Sequence, residues 1–226
     1  MLKSVVFAVL AMLVMATQAT AEEARWEEIK QDEGITVWRM DVPGVPLPGF
    51  RGEADIKASP EAVLDVIRAT DRHTEWMHRC SDARQLAELD ENTTIIYNRT
   101  DSPWPAWDRD VILRTEVTRD EQQNRIRLAY QNIDSNLVEK KDGVVRMPRL
   151  EGAYTMTEIQ PGVTRVSYLV EVDVGGSLPG WIASLIARDL PFKTLDALRS
   201  RVEGKEEQRA AGFGNESVRQ LAGKEI

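Results

Sequence analysis

The chain has 226 residues, 42% of them hydrophobic and 29% charged, with 37 acidic side chains against 29 basic ones and a formal net charge of −8. That is long enough for one large domain with a substantial core. The acidic balance argues against nucleic acid as a partner and against attachment to anionic lipid, since both need clustered cations. The single cysteine, Cys80, rules out an intramolecular disulfide.

Residues 1–21 read as a signal peptide. One cation, Lys3, precedes the apolar run Val5–Ala16, and the small residues Ala19-Thr20-Ala21 suit a signal peptidase. The run is about a dozen residues, short of the ~20 that cross a bilayer. A cleaved signal is therefore expected, with an uncleaved anchor as the alternative. Cleavage before Glu22 would take the net charge to −9. Export of a protein without disulfides predicts a periplasmic or secreted location and a core that folds unaided.

Residues 26–57 alternate apolar and polar positions, from Trp26 and Ile29 through Ile35 and Val37 to Phe50, Ala54 and Ile56. Turns at Asp32-Glu33-Gly34 and at Pro43–Gly49 divide them into two or three strands. Ser59-Pro60-Glu61 then opens a helix: a capping hydroxyl, a proline at the first helical position and an acid for the dipole. Its inward face is Val63, Leu64 and Ile67, and a second short helix is expected around Asp71–Met77.

Between residues 82 and 173 six stretches are rich in Val, Ile, Tyr and Thr: TTIIYNRT, DVILRTEVT, RIRLAYQNI, VVRMP, AYTMTEI and TRVSYLVEVDV. Short turns separate them, which predicts an antiparallel sheet. After Gly175-Gly176-Ser177 apolar residues recur at helical spacing up to Val202, with Pro191 expected to kink or divide the helix. Residues 205–226 form a charged tail with few apolar anchors. The sum is an α+β chain whose sheet is covered by one long C-terminal helix. Periodicity does not say whether the space between them is filled or hollow.

The stretch IIYNRTDSPWPAWDRDVILR resembles the central signature of StAR-related lipid-transfer (START) domains: a Tyr-bearing strand, a Pro-aromatic-Pro bend, and Arg-Asp leading into the next strand. Two flanks agree. The segment WEEIKQDEGITVWRMDVPGVPLPGFRGEADIKASPEAVLDVI resembles the family's opening strands and first helix, and VSYLVEVDVGGSLPGWIASLI its final strand, turn and lid helix. The resemblance implies a START-like domain over residues 22–204 with a helix-grip fold, a curved antiparallel sheet wrapped around the C-terminal helix and enclosing one lipid-sized cavity. It implies binding and transfer of a single hydrophobic ligand, a sterol or phospholipid, without cofactor or covalent chemistry and with transient membrane contact. The rival is an enzyme similar to polyketide cyclases and aromatases on the same fold, but no general base stands out. The acidic surface favours a monomer.

Under that resemblance Arg109 offers its guanidinium to a ligand headgroup. Tyr97 and Arg99, two apart on one strand, are further ligand-binding candidates. Trp104 and Trp107 supply apolar area near the pocket, while Trp181, Ile182 and Leu185 form a helical wall able to move between Gly175-Gly176 and Pro191. From the residues alone a structural reading stays open, in which Arg109 pairs within the sheet and the tryptophans and helix residues fill core. Neighbours on a strand point to opposite faces, so Arg109 and Asp110 cannot both face a pocket, and Asp110 is assigned a structural role. His73 and His78 stand five apart, wrong for one helical face, so no metal is expected. The histidines are read as surface residues and Cys80 as a buried, inert thiol. No nucleophile elbow, phosphate loop or dinucleotide fingerprint appears.

Overall fold

The computed structural model describes residues 26–42, 47–176 and 180–204, with the backbone alone for 181–188. Its strands are β1 (Glu27–Asp32), β2 (Ile35–Met40), β3 (Gly49–Ile56), β4 (Cys80–Asp90), β5 (Thr93–Thr100), β6 (Asp108–Asp120), β7 (Arg125–Asn132), β8 (Val144–Arg146), β9 (Arg149–Gln160) and β10 (Val163–Asp173). They form one sheet in the order β1-β2-β3-β10-β9-β7-β6-β5-β4, every pair on that path antiparallel. The helices are α1 (Pro60–Arg68) and α2 (Gly180–Val202), and a 3-10 helix spans Thr70–Glu75. The sheet is curved and α2 lies against β2, β3, β10 and α1, the α+β helix-grip arrangement.

Local signals set these elements as expected in most places. Ser59 caps α1, its Oγ accepting the Ala62 N–H at 3.3 Å, and Val63, Leu64 and Ile67 are buried. Period-two alternation divides the sheet into two faces. Ile96, Val111, Leu113, Leu128, Tyr154, Met156 and Val166 share the inner core with Leu195 and Leu198 of α2. Ile95, Tyr97 and Ile112 point outwards and are covered by Val138, from the strap between β7 and β8. Both faces of β5 are therefore buried, which is why its sequence reads as continuous rather than alternating.

Three expectations need correction. Strand β4 is absent from the six predicted stretches, because CSDARQLAELD carries no β-branched residue. It pairs on one side only and has three register shifts against β5, so neighbouring β5 imposes its conformation and its charges guard a free edge. Strand β8 runs parallel to β6, with Val144–Arg146 opposite Asp108–Asp110, after the strap carries the chain back across the sheet. Finally, of the kink or division expected at Pro191, division does not occur, and α2 is one continuous helix. The proline's ring packs where Gly52 of β3 presents bare backbone: a Cβ there would lie 2.7 Å from Leu195 Cδ1 and 3.2 Å from Pro191 Cβ. Close seating on β3 thus holds together a helix that proline would otherwise open. The expected signal peptide and charged tail lie outside the described residues.

Candidate functional site

Between the inner face of the sheet and the segment running from α1 through the 3-10 helix lies a cavity of about 80 Å³. Its helical wall is Ile67, Thr70, His73 and Met77. Its sheet wall includes Ile96 and Asn98 of β5, Leu113 and Thr115 of β6, and three tyrosines, Tyr130, Tyr154 and Tyr168. None of the lining residues is Lys, Arg, Asp or Glu. The hollow is smaller than the lipid-sized space expected, since pockets for drug-sized molecules hold roughly 300–1,000 Å³.

Register explains why the tyrosines meet. Tyr168 stands opposite Tyr154 across the β10–β9 pair, and Tyr130 stands opposite Gly152 across β7–β9. The Tyr154 and Tyr168 rings stack at 4.5 Å between centroids. Tyr130 leans over Gly152 and donates its hydroxyl to the Leu169 carbonyl at 2.7 Å. Burial pushes all three phenols above their ordinary range. No sequence motif marked them; the signal was their inward parity in RIRLAY, GAYTMT and VSYLV.

His73 corrects the expectation of surface histidines. It is 2% exposed, meets the Trp76 ring edge-on at 5.6 Å, and places Nε2 at 2.7 Å from the Ile67 carbonyl. A carbonyl can only accept, so Nε2 carries the proton and Nδ1 is an acceptor. Desolvation lowers its pKa below 6.5, against the pull of the Ile67 carbonyl, Asn98 and Asp71. Cys80 is half-buried, and burial pushes its thiol up to about 11.

The predicted site residues sit elsewhere, and none of those described lines the cavity. Trp104 and Trp107 are 89% and 64% exposed, neither pocket wall nor core. They project from the bend between β5 and β6, which is tightened by Ala106 N–H donating to Pro103 O at 3.0 Å and Ser102 N–H donating to Asp108 Oδ1 at 3.0 Å. Arg99 faces the same outer side as Tyr97, as their spacing predicts, but its guanidinium holds Asp108 at 2.5 Å. Tyr97 donates to Asp110 Oδ2 at 3.2 Å, and burial beside that carboxylate pushes its phenol up to about 12. The side chains of Trp181, Ile182 and Leu185 lie outside the described residues.

Alternation holds at Arg109 and Asp110. Arg109 shares its parity with Val111 and Leu113 of the inner core, but at the strand's end, beyond the cavity. Its guanidinium donates to the carbonyls of Val174 and Gly175 and to Ser102 Oγ, each at 3.4 Å, and to the Trp107 carbonyl. Burial lowers its pKa, with Asp108 opposing. Both glycines of the following turn are left-handed, Gly175 at φ +62° and Gly176 at φ +66°. A Cβ on Gly175 would lie 2.8 Å from Pro148 Cδ. The turn before α2 is therefore seated, and Arg109 ties it to the tryptophan bend. An Arg109→Leu variant orphans these acceptors and is expected to lose about 2–3 kcal/mol of stability. Hydrogen exchange should quicken at both 101–107 and 173–176; unchanged exchange at either segment would show that Arg109 does not tie them.

The likenesses of the chain agree with this architecture. A family model for the START domain matches residues 7–203. The chain is 30% identical over 195 residues to Uncharacterized protein PA1579 of Pseudomonas aeruginosa, covering 86% of this chain and 95% of that one. It is 25% identical to START domain-containing protein 10 of Mus musculus over 178 residues, 76% of this chain but only 60% of the mouse protein. Among solved structures, a STAR-related lipid transfer protein from Xanthomonas axonopodis superposes with a TM-score of 0.71 at 29% identity, over 79% of this chain and 98% of that one. A sheet of this order with α2 packed against it, matched along nearly its whole described length, makes this chain a member of the START domain family, whose members bind hydrophobic ligands.

Proposed function

We propose that this protein holds one mostly hydrocarbon molecule in the cavity and carries it between membranes, working in the periplasm or outside the cell. The observation that carries this reading is the hollow itself: an interior lined mainly by Ile, Leu, Met and Tyr side chains, with Thr70, His73, Asn98 and Thr115 beside them and no charged group on its wall. Burying a hydrocarbon chain there is favourable by ~0.8 kcal/mol per methylene, a source of affinity that no polar ligand would find. The name of the Xanthomonas protein, a lipid transfer protein, points the same way. At about 80 Å³ the hollow is too small for a whole lipid, so loading requires the wall to move.

Carriage without catalysis fits the wall's chemistry. A general acid or base works best with a pKa near the ambient pH. Burial moves the three tyrosines further above neutrality and His73 below its ordinary value. The exposed Trp104 and Trp107 suit the membrane contact, since indole rings settle at the interface between headgroups and acyl chains.

The test has two arms. Solvent extraction of the purified protein followed by mass spectrometry should return a hydrophobic compound, and a consistently empty protein would overturn carriage. In a vesicle-to-vesicle transfer assay the Trp104→Ala/Trp107→Ala variant should keep its ligand and its stability but slow transfer about tenfold or more. Transfer at the parental rate would remove the bend from the mechanism.

A further inference from the structure

The walls of the cavity differ in how firmly they are held. The sheet wall is a continuous antiparallel ladder, and parting it breaks rows of backbone hydrogen bonds. The described half of α2 is anchored as well. Its Leu195 and Leu198 are fully buried, Pro191 seats against Gly52, and Arg199 Nη1 donates to the Glu33 carbonyl at 2.8 Å. The segment Ala69–Arg79 is different. Thr70, His73 and Met77 line the hollow, while Asp71, Arg72, Thr74 and Glu75 on its other side are exposed, so one thickness of chain separates cavity from solvent. Among the described residues its backbone hydrogen bonds stay local, such as Arg72 N–H to the Ala69 carbonyl at 2.9 Å and Met77 N–H to the His73 carbonyl at 2.8 Å. The exception is its far end. There the Asp101 N–H donates to the Arg79 carbonyl at 2.9 Å, and Arg79 Nη1 donates to the Asp101 carbonyl at 3.2 Å.

We infer that Ala69–Arg79 is the lid of the cavity, pivoting at Ala69 and Arg79 and latched from outside by Asp71 and Glu75. The inference rests on the carrier reading above and deepens it by naming the wall that moves. Both pivots leave helical geometry: Ala69 has ψ 64°, and Arg79 stands in the left-handed region at φ +60°, where a side chain is strained. The latches join the lid to fixed elements. Asp71 Oδ1 accepts the Gln85 N–H of β4 at 3.2 Å, and Glu75 Oε2 accepts Arg201 Nη2 of α2 at 2.6 Å. Arg72 Nη2 donates to the same oxygen at 2.9 Å and orients it. From within, the buried ring of Trp76 resists opening. Closure also seals Trp76 Nε1 from water with no acceptor among the described residues, a cost that opening returns. Arg79 is bonded to Asp101, at the root of the bend that carries Trp104 and Trp107, so one pivot lies beside the surface proposed to meet a bilayer.

The test reads rates of passage beside affinity. Association and dissociation of the neutral dye N-phenyl-1-naphthylamine are followed by stopped-flow fluorescence on the purified full chain. In the Asp71→Ala/Glu75→Ala variant both rates should rise about tenfold while Kd stays within about threefold, because the closed state is weakened alike with and without cargo. Asp55→Ala, which removes the exposed Arg165–Asp55 pair between β10 and β3 (2.9 Å), should leave both rates at the parental value. Hydrogen exchange in the double variant should quicken at 70–79 and stay unchanged at 60–67. Parental rates in the double variant, an equal rise in Asp55→Ala, or unchanged exchange at 70–79 each overturn the lid and leave carriage standing. So does faster dissociation alone with Kd weakened to match, which would make these residues part of the grip and not of the gate. A parent protein that binds no dye removes the carrier reading and the lid with it.

Discussion

Replacing Asp110 with alanine is expected to lower the unfolding free energy by about 3–5 kcal/mol, the largest single loss among charged positions in the sheet. The carboxylate is 1% exposed and lies on the outer face of β6. Arg146 of β8 grips it with Nε at 2.7 Å from Oδ1 and Nη2 at 3.1 Å from Oδ2, and Tyr97 adds its hydroxyl. The same guanidinium also reaches the Val138 carbonyl in the strap, at 3.2 Å. Removing Asp110 leaves that partly buried arginine without its counter-charge, a heavier cost than the pair's own net value. Asp110→Asn should therefore be nearly as damaging, because shape is retained and charge is not. The paired change Asp110→Leu/Arg146→Met should recover most of the loss, since apolar residues of similar volume replace buried ion pairs well. Urea unfolding of the set decides the matter, and a loss below about 1 kcal/mol for Asp110→Ala would refute it.

Gly152→Ala comes next, with an expected loss of about 4 kcal/mol. A Cβ on residue 152 would sit 2.0 Å from the Leu169 carbonyl oxygen and 2.5 Å from the Tyr130 hydroxyl. The first is backbone of the paired strand and cannot swing aside, so β9 and β10 must part locally. The second breaks the Tyr130–Leu169 hydrogen bond and stirs the tyrosine wall of the cavity. Adding Tyr130→Phe to Gly152→Ala should restore only a minor part of the stability, because the carbonyl clash persists. Full rescue would mean that the hydroxyl alone makes the glycine necessary.

Much of this architecture could be read from residues. Ser59-Pro60-Glu61 marked the start of α1, and the switch from period two to helical spacing after residue 176 marked α2. Alternation separated Arg109 from Asp110 and put Tyr97 and Arg99 together. It could not say which face was inner, because β5 is covered on both sides by apolar residues. The tryptophans illustrate a different limit. Nothing local distinguishes a Trp that packs from one that projects, and in a proline-stiffened bend the backbone path decides. His73 was illegible for a related reason: its burial comes from tertiary closure of the 3-10 helix onto the sheet beside β4, and no pattern within DRHTEW encodes that contact.

Because Arg109 bonds both the bend and the turn leading into α2, the energies of those two segments are not independent. Any surface that distorts the bend alters how firmly the turn is held, and thermodynamic reciprocity makes the reverse equally true. Under the proposed carriage, a ligand that shifts the turn would change the bend's affinity for a bilayer by the same factor. Loading and release would then be antagonistic or cooperative according to one guanidinium's geometry, set without touching the residues that line the cavity.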